Sequence, residues 1–366
     1  MLIRRVWLTD YRNYVAAEAA FSPGLTAVVG SNGQGKSNLL EAVAYLATLA
    51  SFRGAPVEAL VRAGAERAVV RGEAEREGRD LLLETELANG GRNRAQLNRQ
   101  PLRRAHDLLG ALRVTTFAPD DLVMVKGGPG ERRRFLDQAL VALHPRNDEL
   151  QGEVERILRQ RNALLKQAKG RLGEDIAMTL DVWDAKLTKA GEALGDARAE
   201  LVEVLAPVLA ESYDQVASRS AHVTIRYQPP WREIGLAAAL TAGRPDDLRR
   251  GLSLVGPHRD DVELRVGGLP ARTHASQGEQ RSLALALRLA SHRVVTDQTG
   301  TTPVLLLDDV FSELDTDRSH ALLAHLPAGQ TILTTAGSLP SGTEADAVLR
   351  VGAGEITAGP GSSGLG

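Results

Sequence analysis

The sequence predicts a mixed α/β fold interrupted by a helical insertion. Three observations carry this. A short strand pattern, Leu25–Val29, runs into a glycine-rich loop and then into a helix. Far along the chain a wholly apolar strand, Val304–Leu307, ends in two carboxylates, Asp308 and Asp309. Between them Ile176, Leu180, Trp183, Leu187, Ala190, Leu194, Ala197, Leu201, Val204 and Val208 step by four and three, a heptad seam. The β/α pattern therefore begins before the helices and is completed after them.

Taken in order, residues 2–8 and 25–29 read as strands, and the helix after the loop reaches about residue 50. Residues 68–98 turn β-like: Val69-Val70-Arg71 and Leu81-Leu82-Leu83-Glu84-Thr85 flank turn residues near Gly78. Asn89-Gly90-Gly91 is a second turn signal leading to another strand. Residues 112–117 read as a buried strand ended by Pro119. After Pro145 come two helices joined near Gly170 to Gly173. The first carries Leu150, Val154, Ile157, Leu164 and Ala168, with Arg161 breaking the seam. Two such helices and a short turn make an antiparallel hairpin. It is either an arm projecting from the α/β body or a helical subdomain packed on it. From Gly251 the β/α pattern returns, with a helix over 281–294, strands at 304–307 and 331–335, and a last hairpin at 347–351 and 355–356. The expected division is 1–117 with 245–366 for the α/β body and 118–244 for the helical arm. Residues 357–366, rich in Gly and Ser, read as a disordered tail.

Composition narrows the function. There is no cysteine, which excludes disulfides, thiol catalysis and Cys-ligated zinc and fits a cytoplasmic setting. Residues 1–7 lack the apolar core of a signal peptide, and no run approaches the ~18 apolar residues of a membrane helix. Net charge is −2, yet residues 90–171 hold 17 Lys+Arg against 9 Asp+Glu. That surplus reads either as a polyanion-binding surface or as an Arg-rich solvated one.

Gly30-Ser31-Asn32-Gly33-Gln34-Gly35-Lys36-Ser37 is a complete phosphate-binding loop, G-x-x-x-x-G-K-[ST]. Glycines let successive N–H groups point at one phosphate chain. Lys36 can reach the β and γ phosphates, Ser37 can ligate Mg²⁺, and the following helix start favours anions. A buried parallel strand delivers its C-terminal residues to the ligand edge of a sheet, which suits Asp308 to Mg²⁺. Asp309 could orient or deprotonate an attacking water, with Glu313 as the rival carboxylate. Ser276-Gln277-Gly278-Glu279-Gln280 precedes a long helix; Ser276 with Glu279 is a capping box, and the same N–H groups can grip a γ-phosphate presented by another subunit.

With these motifs the chain resembles the ABC-type P-loop ATPase head of the SMC-like branch. Ser276 to Gln280 resembles the ABC signature loop, and Ser312-Glu313-Leu314-Asp315 the D-loop. Within that branch it resembles the RecF family of bacterial recombinational repair ATPases. The matching text covers most of the chain: Tyr11-Arg12-Asn13-Tyr14, the loop continued through Asn38 to Ala42, Ser51-Phe52-Arg53, Phe117-Ala118-Pro119-Asp120-Asp121-Leu122, Glu131-Arg132-Arg133-Arg134-Phe135-Leu136-Asp137 and Gly256-Pro257-His258-Arg259-Asp260-Asp261. The resemblance implies a mixed sheet with flanking helices, an antiparallel β subdomain and an inserted helical hairpin arm. It implies ATP and Mg²⁺ as cofactors, sandwiched between two copies, with Lys36 and Ser37 of one facing Ser276 and Gly278 of the other. It implies ATP-dependent DNA binding, with RecR and RecO as partners in loading RecA at single-strand gaps. The catalytic set is then Asp309, Lys36 and Ser276, and Arg12 and Asn38 join the loop as nucleotide contacts. Two departures from transporter ATPases point to slow hydrolysis: Asp309 stands where transporters carry Glu, and the strand ending at Ala336 lacks the switch His.

Some roles stay open on sequence. Arg12 could touch nucleotide or form an ion pair. Arg53 could meet the γ-phosphate or DNA. His258 has no companion metal ligands and reads as stabilising its loop. Arg132, Arg133 and Arg134 cannot share one helix face, so at most one or two could meet DNA. A transporter subunit, an SMC-type structural ATPase and a non-hydrolysing scaffold are the rival readings.

Overall fold

Two six-stranded sheets enclose the helix that follows the glycine-rich loop. The computed structural model describes residues 1–217, 219–312, 314–337, 339 and 343–359. Glu313 and residues 360–366 of the expected tail lie outside them. Strands β1 (Leu2–Tyr11), β2 (Tyr14–Ala20) and β3 (Leu25–Val29) lead to helix α1 (Lys36–Thr48). Strands β4 (Arg67–Arg76), β5 (Arg79–Ala88), β6 (Arg94–Leu97), β7 (Gln100–Pro101) and β8 (Val114–Phe117) follow. Helices α2 (Val123–Lys126), α3 (Pro129–Leu143), α4 (Arg146–Ala168) and α5 (Glu174–Val216) come next. Then β9 (Val223–Gln228), α6 (Leu236–Arg250), β10 (Asp261–Val266), β11 (Leu269–Pro270) and α7 (Ala271–His274) precede α8 (Gln277–Thr299). The last elements are β12 (Val304–Leu307), α9 (Thr316–Ala324), β13 (Thr331–Thr335), β14 (Ala347–Gly352) and β15 (Glu355–Ala358).

The chain forms two compact units, Met1–Leu122 with Glu211–Ser220 and Arg281–Gly366, and Val123–Ala210 with Ala221–Gln280. The first holds both large sheets. One has the order β2-β1-β4-β5-β6-β7, antiparallel throughout. The other has the order β15-β14-β3-β13-β12-β8, parallel except where β14 pairs with β15. Helix α1 packs against strands of both sheets. It is apolar on nearly every face, with Leu39, Leu40, Ala42, Val43 and Leu46 buried, as a helix between two layers must be. In β4, buried residues alternate with exposed or partly exposed ones over Arg67–Glu75, the period-2 signature of a sheet with one covered face. Strand β2 was not expected. Its run Val15-Ala16-Ala17-Glu18-Ala19-Ala20 is alanine-rich, and alanine is a weak strand former.

The second unit combines helices with a three-stranded sheet, β11-β10-β9. Residues 245–280, expected with the α/β body, belong here because β10 pairs with β9 along its length. Helix α3, which carries Arg132 to Arg134 as expected, opens with Pro129 at its first turn, and its Arg132 chelates Asp261 at 2.8 and 3.1 Å. Helices α4, α5 and α6 meet through Leu165, Ala168, Leu180 and Leu248. The heptad seam of α5 is real up to Leu201 and then drifts by one position. Val204 is 40% exposed, whereas Val202, Leu205 and Leu209 are buried. A straight helix repeats every 3.6 residues, so a stripe of period 3.5 rotates off the packed face.

Arg161, the break in the α4 seam, has no exposed surface. Its Nε donates to Asp184 at 2.6 Å, and its Nη1 donates to Asp247 at 2.6 Å and to Ser253 at 2.8 Å. Burial raises the Asp247 carboxyl above its ordinary value, and the Arg161 bond opposes that shift. The segments 131–137 and 256–261 build this unit as well. Arg198 donates to both oxygens of Asp137 at 2.8 Å and to the Pro257 carbonyl at 2.7 Å. Asp260, fully buried, accepts from Trp231 at 2.8 Å and from the Tyr227 hydroxyl.

Candidate active site

The parallel strands β3, β13, β12 and β8 run side by side, and the Gly30-to-Ser37 loop follows the end of β3 while Asp308 and Asp309 follow the end of β12. Gly30-to-Ser37 leaves β3 and turns into α1. Gly33 has φ 79° and Gly35, capping α1, has φ 118°, backbone angles that a side chain resists. A Cβ on Gly30 would collide with the Val351 carbonyl of β14. Lys36 lies 6% exposed, and its Nζ donates to the carbonyls of Gly30 at 2.7 Å and Ser31 at 2.9 Å.

Two flanking turns hold the loop. The Asn13 amide donates to the Gln34 carbonyl at 2.9 Å, and Asn38 donates to Asn13 Oδ1 at 2.7 Å. The Tyr14 hydroxyl donates to the Gly35 carbonyl at 2.9 Å, and the Ala353 N–H donates to Gln34 Oε1 at 2.7 Å. Sequence reading gave Asn13, Tyr14 and Ala353 no role. The clamp is made by residues whose partners lie 21 and 319 positions away, which no local pattern encodes.

Asp308 stands where β12 ends, its N–H bonded to the Phe117 carbonyl at 2.8 Å. Burial pushes its carboxyl above the ordinary carboxylate range; hydrogen bonds from Thr334 and Ser37, and the charge of Arg53, pull the other way. Ser37 therefore stands near Asp308, as two ligands of one hard cation should. Among the described residues no cluster of three or more His, Cys, Asp or Glu could hold a metal alone. A single carboxylate with a hydroxyl suits Mg²⁺, which keeps several waters and takes phosphate oxygens.

Asp309 adopts left-handed backbone, φ 48°. Its N–H donates to Thr334 Oγ1 at 2.9 Å, while that hydroxyl donates to Asp308 Oδ1 at 2.8 Å. Its carbonyl accepts from Ser312 Oγ at 2.8 Å. Thr334 thus holds the Asp308 carboxyl and the main chain of Asp309. The signal in the sequence was a threonine in a strand that is buried at every position.

Arg12 forms the ion pair weighed from sequence. Its Nε and Nη2 donate to the two oxygens of Glu41 at 2.7 and 2.8 Å, and Nη1 donates to the Ala59 carbonyl at 3.0 Å. The Glu41 side chain is wholly buried in α1. A nucleotide contact by Arg12 draws no support from this geometry. Arg53 is exposed and donates to Asn38 Oδ1 at 3.1 Å, beside the loop. His258 stabilises its loop: one ring nitrogen meets the Ser253 carbonyl at 2.9 Å. Arg132 is taken up by Asp261, Arg133 donates to the Asp260 carbonyl, and Arg134 pairs with Glu131 at 3.0 Å.

Ser276 and Gly278 belong to the second compact unit. The Ser276 N–H and Oγ both donate to Glu279 Oε2 at 2.7 Å, and the Glu279 N–H returns a bond to Ser276 Oγ at 3.3 Å. The capping box is complete at the start of α8.

Residues 2–351 match the RecF/RecN/SMC N-terminal domain family. A DNA replication and repair protein RecF from Streptomyces avermitilis is 44% identical over 350 residues, covering 92% of this chain and 93% of that one. The chain belongs to the RecF family. A solved structure of the recombination mediator protein RecF-ATPrS, of the RecFOR pathway, superposes with a TM-score of 0.89 at 29% identity over 98% of both chains. The corresponding RecF-ATP structure superposes with a TM-score of 0.90. An Smc head bound to the C-winged helix domain of ScpA, 17% identical with a TM-score of 0.60 over 100% of this chain and 99% of that one, shares the fold. This RecF-family chain is an ABC/SMC-type ATPase head in architecture. Among the described residues no helix is long and apolar enough to cross a membrane.

Proposed function

We propose that this chain is a cytoplasmic ATP-dependent DNA clamp of recombinational repair and replication-fork recovery. The observation that carries the reading is the Lys36 phosphate loop, with Asp308, near Ser37, held by Thr334 at the end of the neighbouring strand β13, a site for the Mg²⁺ complex of ATP, in a RecF-family chain. Mg²⁺, when bound, would neutralise phosphate charge; Ser37 and Asp308 would hold it. The N–H groups of residues 30–38 would cradle the phosphates, and Lys36 would exchange the Gly30 and Ser31 carbonyls for β and γ oxygens. Asp309, its main chain held by Thr334, would orient or deprotonate the attacking water.

The capping box at Ser276 supports a second half-site. Ser276 and Gly278 of one copy would close on the γ-phosphate held by another, so ATP would join two copies and hydrolysis would release them. Asp309 as a short base and the missing switch His favour slow turnover. DNA would be gripped by the ATP-bound pair, and RecR and RecO would be partners in helping RecA onto single-strand gaps, in keeping with the relatives' RecFOR pathway.

Sedimentation with and without ATP, repeated with gapped DNA, tests this. ATP should double the mass, and Ser276→Arg should prevent the doubling while ATP still binds. A wild-type mass unchanged by ATP would sink the reading.

A further inference from the structure

We propose that the β6–β7 edge of the antiparallel sheet, with the loop that follows it, is the surface that meets the DNA sugar-phosphate backbone. This rests on the reading that the chain binds DNA. The basic surplus of residues 90–171 resolves into two kinds of arginine. In the second unit Arg132, Arg134, Arg156, Arg159 and Arg161 each have a carboxylate within 4.0 Å, whereas among the described residues Arg133, Arg146 and Arg171 have none and stand apart from one another in the sequence. In the first unit the arginines of β1 and β4 are likewise paired, Arg4 with Glu75, Arg5 with Glu18, Arg67 with Glu86, Arg71 with Glu84 and Arg76 with Glu77.

The segment 92–103 instead gathers several arginines without a close carboxylate in one short stretch. Arg92, Arg94, Arg99 and Arg103 are all exposed. Among the described residues no carboxylate lies within 4.0 Å of Arg92, Arg99 or Arg103; the charge of Arg103 reaches Asp107 from farther off, Arg92 donates to the Arg103 carbonyl at 3.2 Å, and Arg94 reaches only Glu86, at 3.9 Å, which Arg67 already holds at 2.9 Å. The turn joining β6 to β7 keeps left-handed backbone at Asn98, φ 51°, and at Arg99, φ 65°. Glycine fits the second of these positions more easily, yet a cation stands there.

Beside this edge lies a recess of about 270 Å³, lined among others by Tyr45, Thr85, Arg92, Asn93, Arg94 and Arg104. Thr85 is 2% exposed, and its hydroxyl has no hydrogen-bond partner. Asn93 Oδ1 accepts from the Ala88 N–H at 3.1 Å, which leaves its amide NH₂ to donate. Buried polar groups are normally satisfied, so an orphan hydroxyl in a cationic recess marks a place for an acceptor. Three arginines, Thr85 and Asn93 line the recess beside Tyr45 and Leu49, and these donors are the groups that backbone contact uses. One phosphate would sit against Thr85 and Asn93, with its neighbours along the strand meeting the row of unpaired arginines.

The test follows fluorescence anisotropy of a labelled gapped duplex on the full chain with ATP, over a salt series. For Arg92→Gln/Arg94→Gln/Arg103→Gln, affinity should fall at least about tenfold, and the slope of log K on log salt should drop by about 2–3, near 0.9 for each phosphate that is no longer neutralised. Arg67→Gln/Arg71→Gln, which removes paired arginines, should leave the slope as it was, and both variants should still dimerise with ATP. A triple variant with wild-type slope and affinity overturns the proposal. Should the triple variant misfold, Arg103→Gln alone is expected to lower the slope by about one, and an unchanged slope overturns the proposal equally. Loss of polyglutamate binding with an unaltered DNA slope would hand this edge to an acidic protein segment instead. If the wild-type chain itself fails to bind DNA with ATP, the functional reading falls too; if it binds and the variants bind equally, only this surface does.

Discussion

Thr334 joins the two acidic residues of the site, donating to Asp308 and accepting from the Asp309 N–H. Asp309 is held in left-handed backbone by that bond and by Ser312, so its position is set by main-chain geometry. Asp309→Asn keeps this geometry and removes the carboxylate proposed as the base. ATP binding should persist while turnover falls by about 10²–10⁴-fold in a steady-state phosphate-release assay; undiminished turnover would pass the base role elsewhere. Lys36→Met removes the ammonium that reaches the loop carbonyls. Titration with a fluorescent ATP analogue should show no binding; tight retention would refute the loop's assignment. The phosphate loop and both aspartates were legible because each sits inside a contiguous motif. Thr334, Asn13 and the Arg12–Glu41 pair were not, since each acts through a partner distant in sequence or through one of several equally plausible contacts.

At the scale of elements, α5 shows how far a periodic pattern carries. The stripe through Leu180, Leu187, Leu194 and Leu201 is buried as the heptad reading requires, and from Leu205 onward a different stripe takes over. Leu205→Ala should therefore cost about 2–5 kcal/mol of stability in urea unfolding, and Val204→Ala well under about 1 kcal/mol. Equal costs would restore the uninterrupted heptad. Arg161 illustrates a different limit. In sequence it is a polar fault in an apolar seam. In the fold it is the centre of a buried network with Asp184, Asp247 and Ser253, and such a network declares itself only when three separated segments meet. Strand β2 escaped notice for a local reason, a weakly β-forming alanine run.

For the molecule as a whole, two buried histidines set an acid limit. Burial pulls His292 and His258 down to about 4. His292 bonds Thr115 Oγ1 at 3.0 Å; His258 is further disfavoured as a cation by Arg259, Arg133 and Arg161. Both are neutral in the folded chain and ionise near 6.5 when unfolded, so the unfolded state binds more protons between about pH 6.5 and 4. The stability they contribute is present above that window and is lost as pH falls through it, on the order of 3 kcal/mol for His292, which is 2% exposed. Melting temperature should fall on acidification from pH 7 to pH 5, and His258→Gln/His292→Gln should flatten the dependence; parallel curves would assign the acid sensitivity to other groups.

The placement of β3 has a consequence for biosynthesis. Its two sheet neighbours are β13 and β14, and the Val351 carbonyl and Ala353 N–H also brace the loop that β3 carries. A ribosome releases the loop roughly 300 residues before either neighbour exists. Until β13 and β14 emerge, β3 has no partner in its own sheet and the loop has one wall. Nucleotide competence is thus a property acquired late in translation, and a nascent chain carrying the whole phosphate-binding motif is still unable to grip ATP.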